Sequence, residues 1–175
     1  MLYKLPKDVL VELVLKSYGN FNHLSIEDIY KIKNICDNKI GEEKRNDRDA
    51  LRKTYNIDNI KIFCDHNDKI IVEDILRNMP INNYGEHEIT QKVISVEVFH
   101  RGRHAFPFGL YRYDSGKEFY NGHLRNSEDL LSALKIALVP YKDKMDEILK
   151  ILKLLLEIRL TEYHEDKITK IPVNF

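Results

Sequence analysis

The sequence contains no tryptophan and only two cysteines, Cys36 and Cys64, among its 175 residues. Two thiols this far apart, neither in a C-x-x-C pair, supply neither a disulfide framework nor a paired metal clip, so a reducing compartment is expected. Glycine and proline are sparse, at 7 and 5 residues, which excludes a low-complexity chain and limits where elements can end. An excess of one charge is lacking as well: 28 basic and 28 acidic residues cancel, so any nucleic-acid surface has to be local. No apolar run reaches the roughly 20 residues that cross a bilayer. Lys150, Lys153 and Glu157 interrupt the most hydrophobic segment, and Glu12 interrupts an amino-terminal run too short for a signal-peptide core. A cytoplasmic protein without membrane contact is expected. Phosphate-loop, dinucleotide, nucleophile-elbow and zinc-protease signatures are all missing, and no cofactor is expected.

With 43% hydrophobic and 32% charged residues, the chain has a globular profile and length enough to bury a core without metal or disulfide. Pro6 suits a first helical turn, and Val9, Leu10, Leu13 and Val14 then share a face, which predicts a helix over about 6–17. Ser25 and Asp28 have capping-box spacing, and Ile29, Ile32 and Cys36 form the next stripe. A second helix is predicted over about 26–38, ending before Gly41. EEKRNDRDALRKTY, acidic early and basic late, reads as a solvated connecting helix.

NIKIFCDHNDKIIVED reads as a hairpin of two β-branched runs around a polar turn. PINNYGEH is the clearest linker and divides the chain into a mainly helical part with a hairpin, 1–80, and an α+β part, 81–175, although the two could equally form one domain. Ile94, Val96 and Val98 alternate with Ser95 and Glu97, as a half-buried strand requires. Phe106, Phe108 and Leu110 share a face in the next strand, and Asp114-Ser115-Gly116 turns into a third. Asn126 or Ser127 caps a helix carrying Leu130, Leu131, Leu134 and Leu138, which Pro140 ends. A helix is predicted over about 142–163, with Met145, Ile148, Leu149, Leu152, Leu155, Leu156 and Tyr163 as its stripe. Ile151, Leu154 and Ile158 widen that stripe beyond what one small sheet needs to cover, so the helix is either central to the fold or a surface for self-association. The expected fold is α+β: amino-terminal helices, a small antiparallel meander of about five strands in two groups, and two carboxy-terminal helices.

Three chemistries are candidates. In VFHRGRHAFPFGLYRYDSGKEFYNGHLR, residues 98–125, arginines stand among aromatic rings. Single-stranded nucleic acid is bound by this mixture, with phosphates on guanidinium groups and bases on rings, and Arg101, Arg103, His104, Tyr111, Arg112 and Tyr113 would form the surface. The competing reading makes Phe106, Phe108 and Leu110 core and the arginines solvated turn charge. His100, His104 and His123, with Arg103 or Arg112, could instead serve a metal-independent nuclease. Cys64 and His66 in CDHND raise zinc, but no second ligand pair has the spacing, and a hairpin turn explains them.

LPKDVLVELV followed by DIYKIKNICDNK resembles an F-box. Leu5-Pro6 opens it, Val9, Leu10, Leu13 and Val14 follow, and Ile29, Ile32 and Cys36 repeat the rhythm of its second helix. The resemblance implies a short helical hook whose apolar face docks on a Skp1-type adaptor of a ubiquitin ligase. Leu5, Pro6, Val9, Leu10, Leu13, Ile29, Ile32 and Cys36 would carry that contact. Similar boxes occur in proteins of large DNA viruses, which agrees with a chain rich in Ile, Lys and Asn, as AT-rich codons produce, and would place it in the host cytoplasm. The expected function is a non-catalytic protein-interaction or assembly component, with single-stranded nucleic-acid binding as the alternative and the histidine nuclease third.

Overall fold

Strand alternation and helix periodicity together specify one layer of sheet covered by helices. A computed structural model of the chain describes residues 25–77, 91–99, 107–114, 117–163 and 168–175, the side chain of Asn121 excepted. The predicted helix over 6–17 lies outside these residues. The chain divides into two compact units, Met1–Arg48 with Thr161–Lys170, and Asp49–Leu160 with Ile171–Phe175.

In the first unit, helix α1 (Ile26–Arg52, reaching into the second unit at its end) begins at the capping box that the sequence announces. The Asp28 amide donates to Ser25 Oγ at 3.1 Å, and the Ser25 amide and hydroxyl donate to the Asp28 carboxylate at 3.2 and 2.7 Å. The helix does not end before Gly41. It runs through that residue and absorbs most of the segment read as a separate connecting helix. An internal glycine costs about 1 kcal/mol, but a stop also needs a left-handed cap or a proline, and neither is present. Lys39 pairs with Glu42 at 3.2 Å across the glycine, and Ile40 is buried beside it. Strand β7 (Glu162–Tyr163) pairs antiparallel with β8 (Ile168–Thr169). Tyr163 donates its hydroxyl to Asp47 of α1, and burial together with that carboxylate pushes the phenol well above its ordinary value.

The second unit is built on a six-stranded antiparallel sheet in sequence order: β1 (Tyr55–Ile57), β2 (Ile60–Cys64), β3 (Ile70–Asp74), β4 (Lys92–Val98), β5 (Phe108–Asp114) and β6 (Lys117–Leu124). The fold is α+β, as expected, but the two groups of strands join into one meander, because β3 pairs with β4 from Ile70↔Val96 onward. Strand β1 has no counterpart in the sequence reading, which left Tyr55 in a helix. A two-residue turn at Asp58-Asn59 folds it back so that Ile57 faces Ile60.

Cross-strand register sorts the side chains by face. On the first face lie Ile62, Val72 and Ile94 in one row, Ile70, Val96 and Leu110 in the next, and Val98, Phe108 and Leu124 in a third. Helices α2 (Ser127–Ala137) and α3 (Met145–Leu160) complete this core with Leu130, Leu134, Leu152, Leu155 and Leu156. Phe108 and Leu110 therefore point inward, and Phe106 lies outside the described residues. Asn126 caps α2, accepting the Asp129 amide at 2.8 Å. Helix α3 is shorter than predicted at both ends: residues 142–144 are turns following a 3-10 turn over Val139–Tyr141, and Tyr163 belongs to β7. Most of its wide apolar stripe is used within the chain: Ile151 packs on the core, Ile158 is half-buried, and Leu154 is exposed. Among the described residues, no helix is long and apolar enough to cross a membrane.

One polar cluster pins the β1–β2 turn, the end of β3 and the 3-10 turn together. Asp74, 8% exposed, accepts from Asn59 Nδ2 at 2.7 Å, from the Leu76 amide at 3.0 Å and from the Tyr141 hydroxyl at 2.9 Å. Lys144 donates to Asn59 and lies 3.8 Å from Asp58. Burial pushes the Asp74 carboxyl upward, but these hydrogen bonds and the Lys144 charge outweigh it and hold the group below its ordinary 3.8. Asp74→Ala leaves three donors without a partner and is expected to cost about 1–3 kcal/mol in urea unfolding at neutral pH. Because the folded value is the lower one, the stabilisation is complete above about pH 5 and is lost as pH falls through the unfolded and then the folded value. The difference between wild type and Asp74→Ala should accordingly shrink toward pH 2; a difference constant from pH 7 to pH 2 would contradict the assignment.

Candidate functional site

The second face of the sheet is assembled from the odd-numbered residues of β4 and β5. Ile71, Ser95 and Tyr113 are buried there, with Ser95 Oγ 3.3 Å from the Tyr113 hydroxyl. Toward the β4–β5 end the face becomes aromatic. The Phe99 and His123 rings lie 4.9 Å apart, His123 and Tyr120 5.5 Å, and Tyr120 and Tyr111 4.8 Å, so four rings form a continuous row. Tyr120 is 45% exposed and His123 is exposed, whereas Phe99 and Tyr111 are half-buried.

Two glycines make the row possible. Strict alternation would send Tyr120 and His123 to opposite faces. Between them β6 carries one residue more than β5, since Tyr111 faces Tyr120 while Gly109 faces His123. This bulge includes Gly122 at φ +99, a backbone conformation that side-chain-bearing residues rarely adopt. Gly109 lies beneath the Phe99 ring, and a Cβ there would meet the ring carbons at 3.1 and 3.3 Å. The Phe99 amide donates to the Pro107 carbonyl at 2.8 Å, extending the β4–β5 ladder one residue beyond Val98↔Phe108 and holding the ring over the glycine.

Among the described residues, lysines and glutamates alternate on this face. Lys69 places its ammonium 4.7 Å from the Tyr111 ring centroid and 4.0 Å from Glu97, and the Tyr111 hydroxyl donates to Glu97 at 3.4 Å. Burial, then the Glu97 charge, raises the Tyr111 phenol. Lys61 faces Glu73 across β2–β3, Lys92 lies over Tyr113, and Glu118 faces Tyr113, so Lys61, Lys69 and Lys92 stand against Glu73, Glu97 and Glu118.

The residues singled out in the sequence are distributed as follows. Tyr111 is in the row. Tyr113 shares its face but is 4% exposed, so its ring has little surface to offer a ligand. Arg112, one residue out of phase, projects from the opposite face and pairs with Asp114 at 2.8 Å. Arg101, Arg103, His104 and His100 lie outside the described residues, in the connection between Phe99 and Pro107. Leu5, Pro6, Val9, Leu10 and Leu13 also lie outside them. Ile29 is 52% exposed at the start of α1, while Ile32 and Cys36 are half-buried. Sequence reasoning placed Phe99, Tyr120 and His123 in the right stretch but did not group them, because the grouping depends on the bulge; the Asn121-Gly122 pair was its visible signal.

Cys64 and His66 do not converge. Asp65 organises the β2–β3 loop, accepting the Asn67 and Lys69 amides at 2.8 and 2.9 Å; His66 is exposed on this loop, and Cys64 packs against the core. Burial pushes the Cys64 thiol up to about 11; Asp68 and Asp65 add to the rise, and the Arg159 charge opposes it. Among the described residues, no three histidine, cysteine, aspartate or glutamate side chains are placed to hold a metal ion.

Comparison with known proteins finds no matching family model, no matching curated protein and no matching solved structure.

Two outcomes are expected here. Gly122→Ala, with open space around the new methyl, should cost about 1–2 kcal/mol through backbone strain alone and weaken the His123–Tyr120 ring contact in NMR spectra; unchanged stability and unchanged ring shifts would contradict the bulge. Cys64 should alkylate at pH 7.5 roughly 100-fold more slowly than an ordinary thiol, given its small thiolate fraction.

Proposed function

We propose that this chain is a non-catalytic protein-interaction or assembly component that meets its partner through the aromatic row Phe99–His123–Tyr120–Tyr111. The observation that carries the reading is the row of rings itself, with Lys69 held against Glu97 beside Tyr111. Exposed tyrosine and histidine rings with a lysine and a glutamate paired beside them have the composition of a protein-binding surface, where aromatic side chains supply contact area at low entropic cost. A phosphate backbone would meet Glu97 and Glu118 there as readily as Lys69. The raised thiol of Cys64 also speaks against nucleophilic chemistry at that residue, since a neutral thiol is a poor nucleophile.

The narrower form of this reading is an F-box-like adaptor of viral origin acting in the host cytoplasm. It draws support from Ile26, Ile29 and Tyr30, which share one stripe of α1 and are 73%, 52% and 63% exposed. A Skp1-type adaptor would meet this stripe together with Leu5, Pro6, Val9, Leu10, Leu13, Ile32 and Cys36.

A second reading is favoured by the rings themselves. Aromatics displayed on a sheet stack with unpaired bases in single-stranded RNA binders, and the arginine-bearing connection leads directly out of Phe99. Affinity capture with and without nuclease separates the two readings. The expected result is a protein partner that survives nuclease treatment and is lost on Tyr120→Ser with His123→Ser. Recovery abolished by nuclease, or single-strand binding that weakens steeply with salt and depends on these two rings, would replace the first reading with the second. Retained capture by the double variant and loss on Ile29→Asp would move the contact to α1.

A further inference from the structure

Helices α2 and α3 form a second feature, distinct from the aromatic row. A groove of about 340 Å³ lies between them, floored by Leu131, Leu149 and Phe175 and rimmed by Lys135, Lys150 and Lys153. Its construction follows from helical spacing. Leu131 and Lys135 are four residues apart on α2, while Asp146, Leu149, Lys150 and Lys153 follow the i, i+3, i+4, i+7 stripe of α3, so each helix contributes an apolar position with a cation beside it. Phe175 is held over the groove by the carboxy-terminal segment. In that segment Val173 is 1% exposed and donates its amide to Glu157 at 3.2 Å, and the Asn174 amide donates to Ser127 Oγ at 3.1 Å.

Three lysines line the groove with one acidic side chain, Asp146, and none of the three lysines has an ion-pair partner among the described residues, whereas Arg77, Arg112, Lys144 and Arg159 elsewhere on this unit each have one. An apolar floor with lysine side chains outnumbering acidic ones at its rim complements a ligand that is apolar along its length and anionic at one end. The volume falls at the low end of the range for small-molecule sites, which suits a single short chain and is too small for a peptide helix.

We infer that this groove binds a free, single-chain amphiphilic anion, an alkyl carboxylate being the simplest member of the class: the chain lies on Leu131, Leu149 and Phe175, and the head group is held among Lys135, Lys150 and Lys153. The experiment uses the full chain and decanoate below its micellar concentration, with decanol as the neutral control. Saturable decanoate binding that shifts the NMR signals of Leu131, Leu149 and Phe175 is expected. The affinity should fall roughly tenfold in the Lys135→Gln, Lys150→Gln, Lys153→Gln triple variant, the combined effect of three solvent-exposed charges. Phe175→Ala should also weaken decanoate, and decanol should bind wild type no better than decanoate binds the triple variant. Equal affinities for decanoate and decanol would overturn the inference, as would the absence of saturable decanoate binding to folded protein. Binding to phosphatidylglycerol vesicles through the same lysines without binding of monomeric decanoate would also overturn it, assigning the patch to a membrane surface.

Discussion

The two-residue period of a sheet sealed on one face by helices governs the second unit. Once Ile62, Ile70, Val72, Ile94, Val96, Phe108 and Leu110 are committed to the core beneath α2 and α3, every neighbour is committed to the other side. A slip of one residue anywhere would exchange the two sets, burying Glu97 and Tyr111 and exposing Val96 and Leu110, so burial specifies register strongly. The mixed character of residues 98–125 follows. A segment that reads as a single basic and aromatic cluster in one dimension is divided by the pleat into an inward set, Phe108 and Leu110, and a second-face set, Tyr111 and Tyr113. Arg112 falls with the inward phase at the margin of the core and is occupied by Asp114.

The aromatic row exists only where that period is broken. Gly122 permits one extra residue in β6, which returns His123 to the face of Tyr120, and Gly109 provides the clearance for Phe99. Local departures from regular pairing commonly re-aim side chains near sites of contact. Here the departure converts separate rings into a contiguous surface, with Lys69 and Glu97 locking Tyr111 at one end. The same strand therefore serves the core through Leu124 and the outside through Tyr120 and His123.

Much of the architecture was legible in the sequence because it rests on strong periodic signals. The Ser25–Asp28 box, the β2–β3 hairpin, the alternation of Ile94 through Val98, and the Asn126 cap all stand where the residues place them. What was not legible depended on tertiary context. Gly41 has the identity of a helix terminator, yet it is overridden by the good helix formers on both sides and by burial of Ile40. Tyr55–Ile57 is too short to carry a strand pattern of its own and is defined by pairing with β2. Tyr163 fits the helical stripe of α3 by count, but after Leu160 the chain enters a short hairpin in which its hydroxyl reaches Asp47. The row was hidden for the same reason: a bulge is a property of two strands, and only one of them announces it, through a glycine.

The most direct test is a nuclear Overhauser spectrum of the aromatic rings of β5 and β6. Phe108 should show contacts to the methyl groups of its cross-strand neighbours Val98 and Leu124, while His123 shows contacts to Phe99 and Tyr120 and none to Phe108. Contacts from Phe108 to the His123 ring, or a His123 ring remote from both Phe99 and Tyr120, would mean that the two faces are assigned wrongly and that the surface described here does not exist.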